Sequence, residues 1–110
     1  MQKKLTILQI NDTHSYLELH NELFYERDKL AFRKAGGYAR LQSLIKDFRS
    51  KNPTLVFDNG DTIHGTYEAI DSKGWHMRPI LIEPGFDART FHWYTGFGPV
   101  NLKKIGQQLD

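Results

Sequence analysis

The sequence of 110 residues contains no cysteine, which excludes disulfides and thiolate metal sites and leaves the redox compartment open. Long apolar runs are also missing. The segment LTILQI at residues 5–10 is too short and too polar for the apolar core of a secretory signal, and nothing in the chain could span a bilayer. Charge of one sign is scarce: 15 Lys and Arg against 13 Asp and Glu leave a formal net charge of +2. The basic residues are scattered in pairs such as Arg33-Lys34 and form no stripe, so neither nucleic acid nor membrane is an expected partner. No repeat or low-complexity segment is visible. What remains is an ordinary soluble globular composition, 39% apolar and 25% charged, in a chain long enough for one domain with a modest core. A cytoplasmic location is expected, or an extracytoplasmic one if a signal was removed ahead of this numbering.

Local patterns give an α/β order. LTILQI reads as a first strand that ends at Asn11-Asp12, residues that favour turns. Residues 15–35 are polar with short apolar pieces and are expected to form an irregular excursion. Behind Gly36-Gly37, Tyr38, Leu41, Leu44, Ile45 and Phe48 recur at helical spacing. Asn52-Pro53 stops that helix, because the residue before a proline avoids the helical region. TLVFD at 54–58 is a second strand. Strand, helix and strand make a βαβ unit with parallel strands and a right-handed crossover. Further on, Met77 to Leu81 read as a short helix ended by Pro84-Gly85, and FDARTFHW at 86–93 as a third short strand with His92 at its end. Pro99, followed by Val100, Leu102, Ile105 and Leu109, opens a final helix.

Two polar clusters, NDTH at 11–14 and DNGDTIH at 58–64, then fall beyond the carboxyl ends of neighbouring strands, where open α/β sheets bind their ligands. Asp12 and His14 are two apart, so on extended backbone both side chains leave one side and can reach one ion. Taken alone, that pair reads as a turn with a solvated histidine. Asp61 follows Gly60, whose missing Cβ lets the backbone approach another group, and is either a turn carboxylate or a ligand. Both clusters at one sheet edge favour the ligand role, since carboxylates meeting there repel unless a cation lies between them. Asp58 is expected to tie its turn to backbone donors. His64 is expected to stand behind the ligands or in solvent, and His20 and His76 on the surface without partners. His92, between Phe91 and Trp93, reads as a packed core residue whose place at a strand end opens a ligand role. Oxygen and nitrogen donors without sulfur suit manganese, iron or zinc. Two such ions about 3.5–4 Å apart serve hydrolysis at phosphorus or a similar oxyanion centre.

Three blocks, LTILQINDTHSYLE, GGYARLQSLIKDFR and LVFDNGDTIHGT, in this order and spacing, resemble the amino-terminal part of the 5′-nucleotidase branch of the calcineurin-like metallophosphoesterases. The resemblance implies a partial, incomplete metallophosphoesterase sandwich over residues 1–110 and two divalent ions in the intact domain. It implies that Asp12 and His14 bind the first ion and that Asp61 bridges both. His92 falls where the family has an asparagine ligand, and Trp93 where it has its catalytic histidine. A His-Trp pair there is similar to a subgroup that includes thiosulfohydrolases, although this chain continues with Tyr94-Thr95. The family's later Gly-His-x-His block is not among these residues. The expected activity is metal-dependent hydrolysis of a nucleotide or other phosphate ester, with the 110 residues inactive alone. The alternatives are a non-catalytic remnant or small metal-binding module, and sulfur-ester hydrolysis. An open sheet edge makes self-association a further expectation.

Overall fold

The structure is a computed structural model and describes residues 3–91 and 94–109. Its centre is the expected βαβ unit. Strand β1 (Thr6–Ile10) pairs in parallel with β4 (Thr54–Asp58), and helix α1 (Tyr38–Lys51) lies between them in sequence. The register aligns Ile10 with Asp58, so the two strands end level and their following loops start side by side. A third strand, β5 (Ala88–Arg89), extends the sheet in the order β1-β4-β5. It is shorter than the strand expected over residues 86–93, and it also runs parallel to β4, with the Thr90 amide donating to the Asp58 carbonyl at 2.9 Å.

Helix α1 begins after Gly36 and Gly37, which hold φ of 72° and 85°, a region open to residues without a Cβ. Arg49 and Lys51 in its last turn complement the negative end of the helix dipole. The Asn52 amide caps back to the Phe48 carbonyl, and Pro53 turns the chain into β4. Of the apolar stripe read from the sequence, Tyr38 and Ile45 are buried and Leu41 and Phe48 half-buried, whereas Leu44 lies exposed.

The region expected as an irregular excursion is instead a regular antiparallel hairpin, β2 (Leu19–Glu26) with β3 (Lys29–Gly36). Its tight turn is Arg27-Asp28, both with positive φ (47° and 63°), the backbone that matches strand twist in two-residue hairpins. The usual sequence sign for such a turn is Asn-Gly or Asp-Gly, so Arg-Asp hid it. Cross-strand pairs Leu23–Phe32 and Tyr25–Leu30 then share one face.

The carboxyl-terminal half supplies most of the core. After α2 (Tyr67–Asp71), a 3-10 turn (Trp75–Met77) leads into α3 (Arg78–Ile82), and a second 3-10 turn (Tyr94–Phe97) precedes α4 (Pro99–Gly106). Ile63, Met77, Leu81 and Ile105 pack with Tyr38 into one buried cluster. Trp75 and Asn101 fasten α4 to it: the indole N–H donates to the Asn101 side-chain carbonyl at 2.8 Å, and the Asn101 amide donates to the Lys73 carbonyl at 2.9 Å. Among the described residues, no helix is long and apolar enough to cross a membrane.

Candidate metal centre

Beyond their last ladder residues, β1 and β4 remain joined. The Asn59 amide donates to the Ile10 carbonyl (2.8 Å), Asp12 to Gly60 (2.9 Å), His14 to Asp61 (3.1 Å) and Ser15 to Thr62 (2.8 Å). Two loops that would otherwise move independently are thereby zipped together, and the side chains on them are held in one place. Asp58 anchors the zipper as expected: its buried Oδ1 accepts from the Gly60 amide (2.9 Å) and the Thr62 hydroxyl (2.8 Å). The Ser15 hydroxyl donates to the Thr62 carbonyl at 2.9 Å.

The backbone at this site is unusual. Asp12, His14, Ser15 and Asp61 all have φ between 49° and 59°, a region that disfavours residues with a Cβ. Such conformations cost about 1–3 kcal/mol each and cluster at functional sites. Here the inter-loop hydrogen bonds impose them, and their effect is to turn His14 and Asp61 toward each other.

His14 Nε2 lies 3.5 Å from Asp61 Oδ2 and 3.8 Å from Asp12 Oδ1. Asp61 is buried, with 9% of its side chain exposed, while Asp12 is 52% exposed and its Oδ2 accepts a 2.7 Å hydrogen bond from the Asn11 side-chain Nδ2. The sequence pairing of Asp12, His14 and Asp61 is thus reproduced in space, with Asp61 at the centre and Asp12 at the solvent side.

His64, expected behind the ligands or in solvent, stands inside the cluster. Its Nε2 contacts Asp61 Oδ1, and its ring meets the His14 ring edge-on at 4.9 Å between centroids. One donor atom from each of His14, Asp61 and His64 lies within 4.8 Å of the others. The signal that could have found it is Asp-x-x-His followed by Gly65. At Gly65, with φ of 110°, a Cβ would stand 2.9 Å from His14 Cβ and 3.0 Å from the His14 carbonyl oxygen, so only glycine lets this loop pack against His14. His92 lies outside the described residues, as does Trp93, on which the sulfur-ester alternative rests.

Two other histidines correct the sequence reading. His20 has partners: Nε2 is 2.7 Å from Glu22 Oε1, and the ring packs on Tyr16 at 4.6 Å. His76 is half-buried, with Nδ1 3.0 Å from the Ser72 hydroxyl. Beside the metal-binding candidates opens a cleft of about 480 Å³, lined by Asp12, His14, Tyr16, His20 and Tyr38 among others. The Tyr38 hydroxyl lies 2.6 Å from the Thr13 hydroxyl, and both residues line the cleft.

Two imidazole nitrogens and carboxylate oxygens, without sulfur, form a donor set that fits a divalent ion of the manganese, iron or zinc type. A buried carboxylate facing two imidazoles is also a place where positive charge offsets the cost of desolvation.

The comparisons with known proteins agree with this geometry. Residues 5–98 match the family described as calcineurin-like phosphoesterase. The chain is 36% identical over 88 residues to 5′-nucleotidase of Bos taurus, covering 77% of this chain and 15% of that protein. It is 32% identical over 94 residues to NAD 5′-nucleotidase of Haemophilus influenzae, covering 84% of this chain and 15% of that one. The solved structure of Haemophilus influenzae NAD nucleotidase superposes with a TM-score of 0.84 at 28% identity, over 96% of this chain and 19% of that one. A 5′-nucleotidase precursor from Thermus thermophilus gives a TM-score of 0.63 at 25% identity, over 79% of this chain and 17% of the other. The chain therefore spans less than a fifth of the length of these relatives. With the family matched over most of its residues and the strand tips in place, the chain belongs to the calcineurin-like phosphoesterases and is similar to 5′-nucleotidases among them.

Proposed function

We propose that residues 1–110 are the amino-terminal portion of a catalytic domain that hydrolyses phosphate esters with divalent metal ions, nucleotides being the substrate class. The observation that carries this reading is the meeting of His14 and Asp61 at 3.5 Å on loops that leave two level parallel strands. Asp12, His14 and Asp61 are the residues that would hold the ions. When bound, such ions supply Lewis acidity toward the phosphoryl oxygens and toward the attacking water. The chain's own part is to present the carboxylates and imidazoles in fixed positions, which removes reorganisation from the reaction. The cleft beside Asp12 and His14 is of a size for small-molecule sites and offers room for the ester group.

The names of the relatives support nucleoside 5′-monophosphates and NAD as the substrates to try first. The reading gives the 110 residues one half of a two-ion centre, with negligible turnover on their own. It also includes self-association through the open edge of β1, where Leu5 and Ile7 are exposed. The test is release of inorganic phosphate from 5′-AMP, with manganese, by the gene product that carries this segment. Asp61→Asn is expected to lower the rate by at least about a hundredfold, the scale on which removal of a transition-state electrostatic partner acts. Equal rates in the two proteins would refute the assignment.

A further inference from the structure

We propose that Arg78 and Arg89 form an oxyanion site for a phosphate group, in the cleft where α3, β5 and the turn after α4 meet. The cleft measures about 430 Å³ and shares no lining residue with the one beside Asp12 and His14. It is a second place at which this chain can recognise phosphate, built from residues that the strand-tip loops do not use.

Charge is the first reason. Both guanidinium side chains line this cleft, and among the described residues none of those lining it carries a carboxylate. The acids nearest in sequence are committed elsewhere. Glu83 accepts from the Lys46 ammonium at 2.8 Å, while Asp87 Oδ2 accepts from the Val56 amide at 2.7 Å and lies 3.5 Å from Arg49. Arg33 and Arg49, by contrast, each have a carboxylate partner, Glu26 and Asp87. A guanidinium cannot shed its charge to escape such a setting, as a lysine or histidine can. Two like charges lining one partly apolar space therefore favour an anion between them.

Hydrogen bonding is the second reason. Arg78 Nε is buried and has no hydrogen-bond partner among the described residues, a cost that an incoming oxygen removes. Arg89 is held at the same cleft: its Nη2 donates to the Leu81 carbonyl at 3.4 Å, and its guanidinium lies 5.1 Å from the centre of the Phe86 ring. A tethered, stacked guanidinium has little left to lose on binding. Leu81, Phe86 and Leu109 supply apolar walls, which strengthen charge-assisted hydrogen bonds. Gln108 adds a side-chain amide donor. Two forked cations and an amide outnumber the oxygens of a carboxylate and suit those of a phosphate. The volume leaves room for a group esterified to it.

The experiment follows the backbone amides of the purified chain by two-dimensional NMR as inorganic phosphate is added. EDTA is present throughout, so that no divalent ion draws phosphate to the strand tips. 5′-AMP is titrated in parallel, to tell a free phosphate from an esterified one, and a glutamate-rich peptide forms the last arm. Saturable shifts are expected at residues 78–89 and 106–109 with a phosphate probe, and the tighter of the two probes names the source. Arg78→Gln and Arg89→Gln are each expected to weaken binding about tenfold or more, the scale of one hydrogen bond between charged partners. Arg78→Lys, which keeps the charge but loses the fork, is expected to weaken it by less. Circular dichroism checks that each variant folds. Should Arg78→Gln not fold, Arg78→Lys and Arg89→Gln decide, and wild-type affinity in both overturns the proposal. So do wild-type affinity in Arg78→Gln, the absence of saturable shifts with either phosphate probe, and shifts confined to residues 11–14 and 58–64. Binding of the peptide without binding of phosphate also overturns it, and makes the cleft a docking surface for an acidic protein. The phosphoester reading involves neither arginine and is decided separately by phosphate release.

Discussion

The strand-tip loops and the β2–β3 hairpin are both polar stretches following an apolar strand or preceding a helix, yet the chain treats them in opposite ways. The loops after β1 and β4 are bonded to each other at four successive backbone positions, and they bury Ser15, Asp58, Asp61 and Thr62. The hairpin is bonded chiefly to itself. It pairs with no other strand among the described residues and exposes Leu23, Tyr25, Leu30 and Phe32 on one face by 51–73%. A two-stranded ribbon of this kind is marginal by itself. Polar residues buried with partners hold a site rigid, while apolar residues left in solvent hold nothing. The contrast teaches that the fixed part of this molecule is where the metal-binding candidates stand.

The sharpest way to break that contrast is to remove the anchor of the loops. Asp58→Ala deprives the Gly60 amide and the Thr62 hydroxyl of their acceptor inside the fold. Each buried donor left unsatisfied costs about 1–3 kcal/mol, so a loss of roughly 2–5 kcal/mol is expected in urea denaturation. Loss of metal affinity should accompany it, because the same bonds aim Asp61. A change below about 1 kcal/mol would mean that the zipper is not what rigidifies the loops.

Gly65→Ala is expected to act next in size. The added methyl would meet the His14 carbonyl oxygen at 3.0 Å on backbone with φ of 110°. A penalty of about 1–3 kcal/mol is expected from strain of this kind. Its signature is a larger effect on Co²⁺ affinity than on the thermal midpoint, since His14 must shift. Equal affinity in the variant would separate Gly65 from the site.

At the hairpin the expectation reverses. Phe32→Thr, at a side chain 73% exposed, is expected to change stability by no more than about 0.5 kcal/mol. Hydrogen exchange should show the amides of β2 and β3 opening before those of β1 and β4. A cost above about 1.5 kcal/mol would mean that this apolar face is covered in solution.

How far the sequence could be read follows the same division. The βαβ unit was legible because apolar spacing and Pro53 mark its boundaries within a few residues of one another. Asp12, His14 and Asp61 were legible as a cluster because parallel strands bring their following loops together by topology alone. The hairpin was missed because its turn uses Arg27-Asp28 in a backbone form that ordinarily advertises itself with glycine. The place of His64 beside Asp61 was carried in sequence only by Asp-x-x-His before Gly65, and it depends on how close Gly65 comes to His14, a distance that spacing alone does not give. His76 was misread for a related reason. Its neighbours in sequence are polar, but the turn from α2 into α3 folds it inward.

His76 offers the smallest and most specific test. Burial holds its imidazole below the ordinary value of 6.5, outweighing the opposing pull of the Glu68 carboxylate. Its Nε2 is buried without a hydrogen-bond partner among the described residues. The unfolded chain therefore takes up a proton at this residue at a higher pH than the folded one does. Between the two values the unfolded state binds more protons, so stability rises with pH there. The contribution of neutral His76 is fully present above 6.5 and is lost progressively as pH falls from that value toward the lower folded one. His76→Gln has no such proton to take up. Its denaturation midpoint is expected to fall less steeply than the wild type between neutral pH and pH 5. The substitution keeps a side-chain group near the Ser72 hydroxyl, so the difference in slope, and not the difference at neutral pH, is the quantity to measure. Parallel slopes would show that His76 is as solvated as its neighbours in sequence imply, and that the inward turn between α2 and α3 opens in solution.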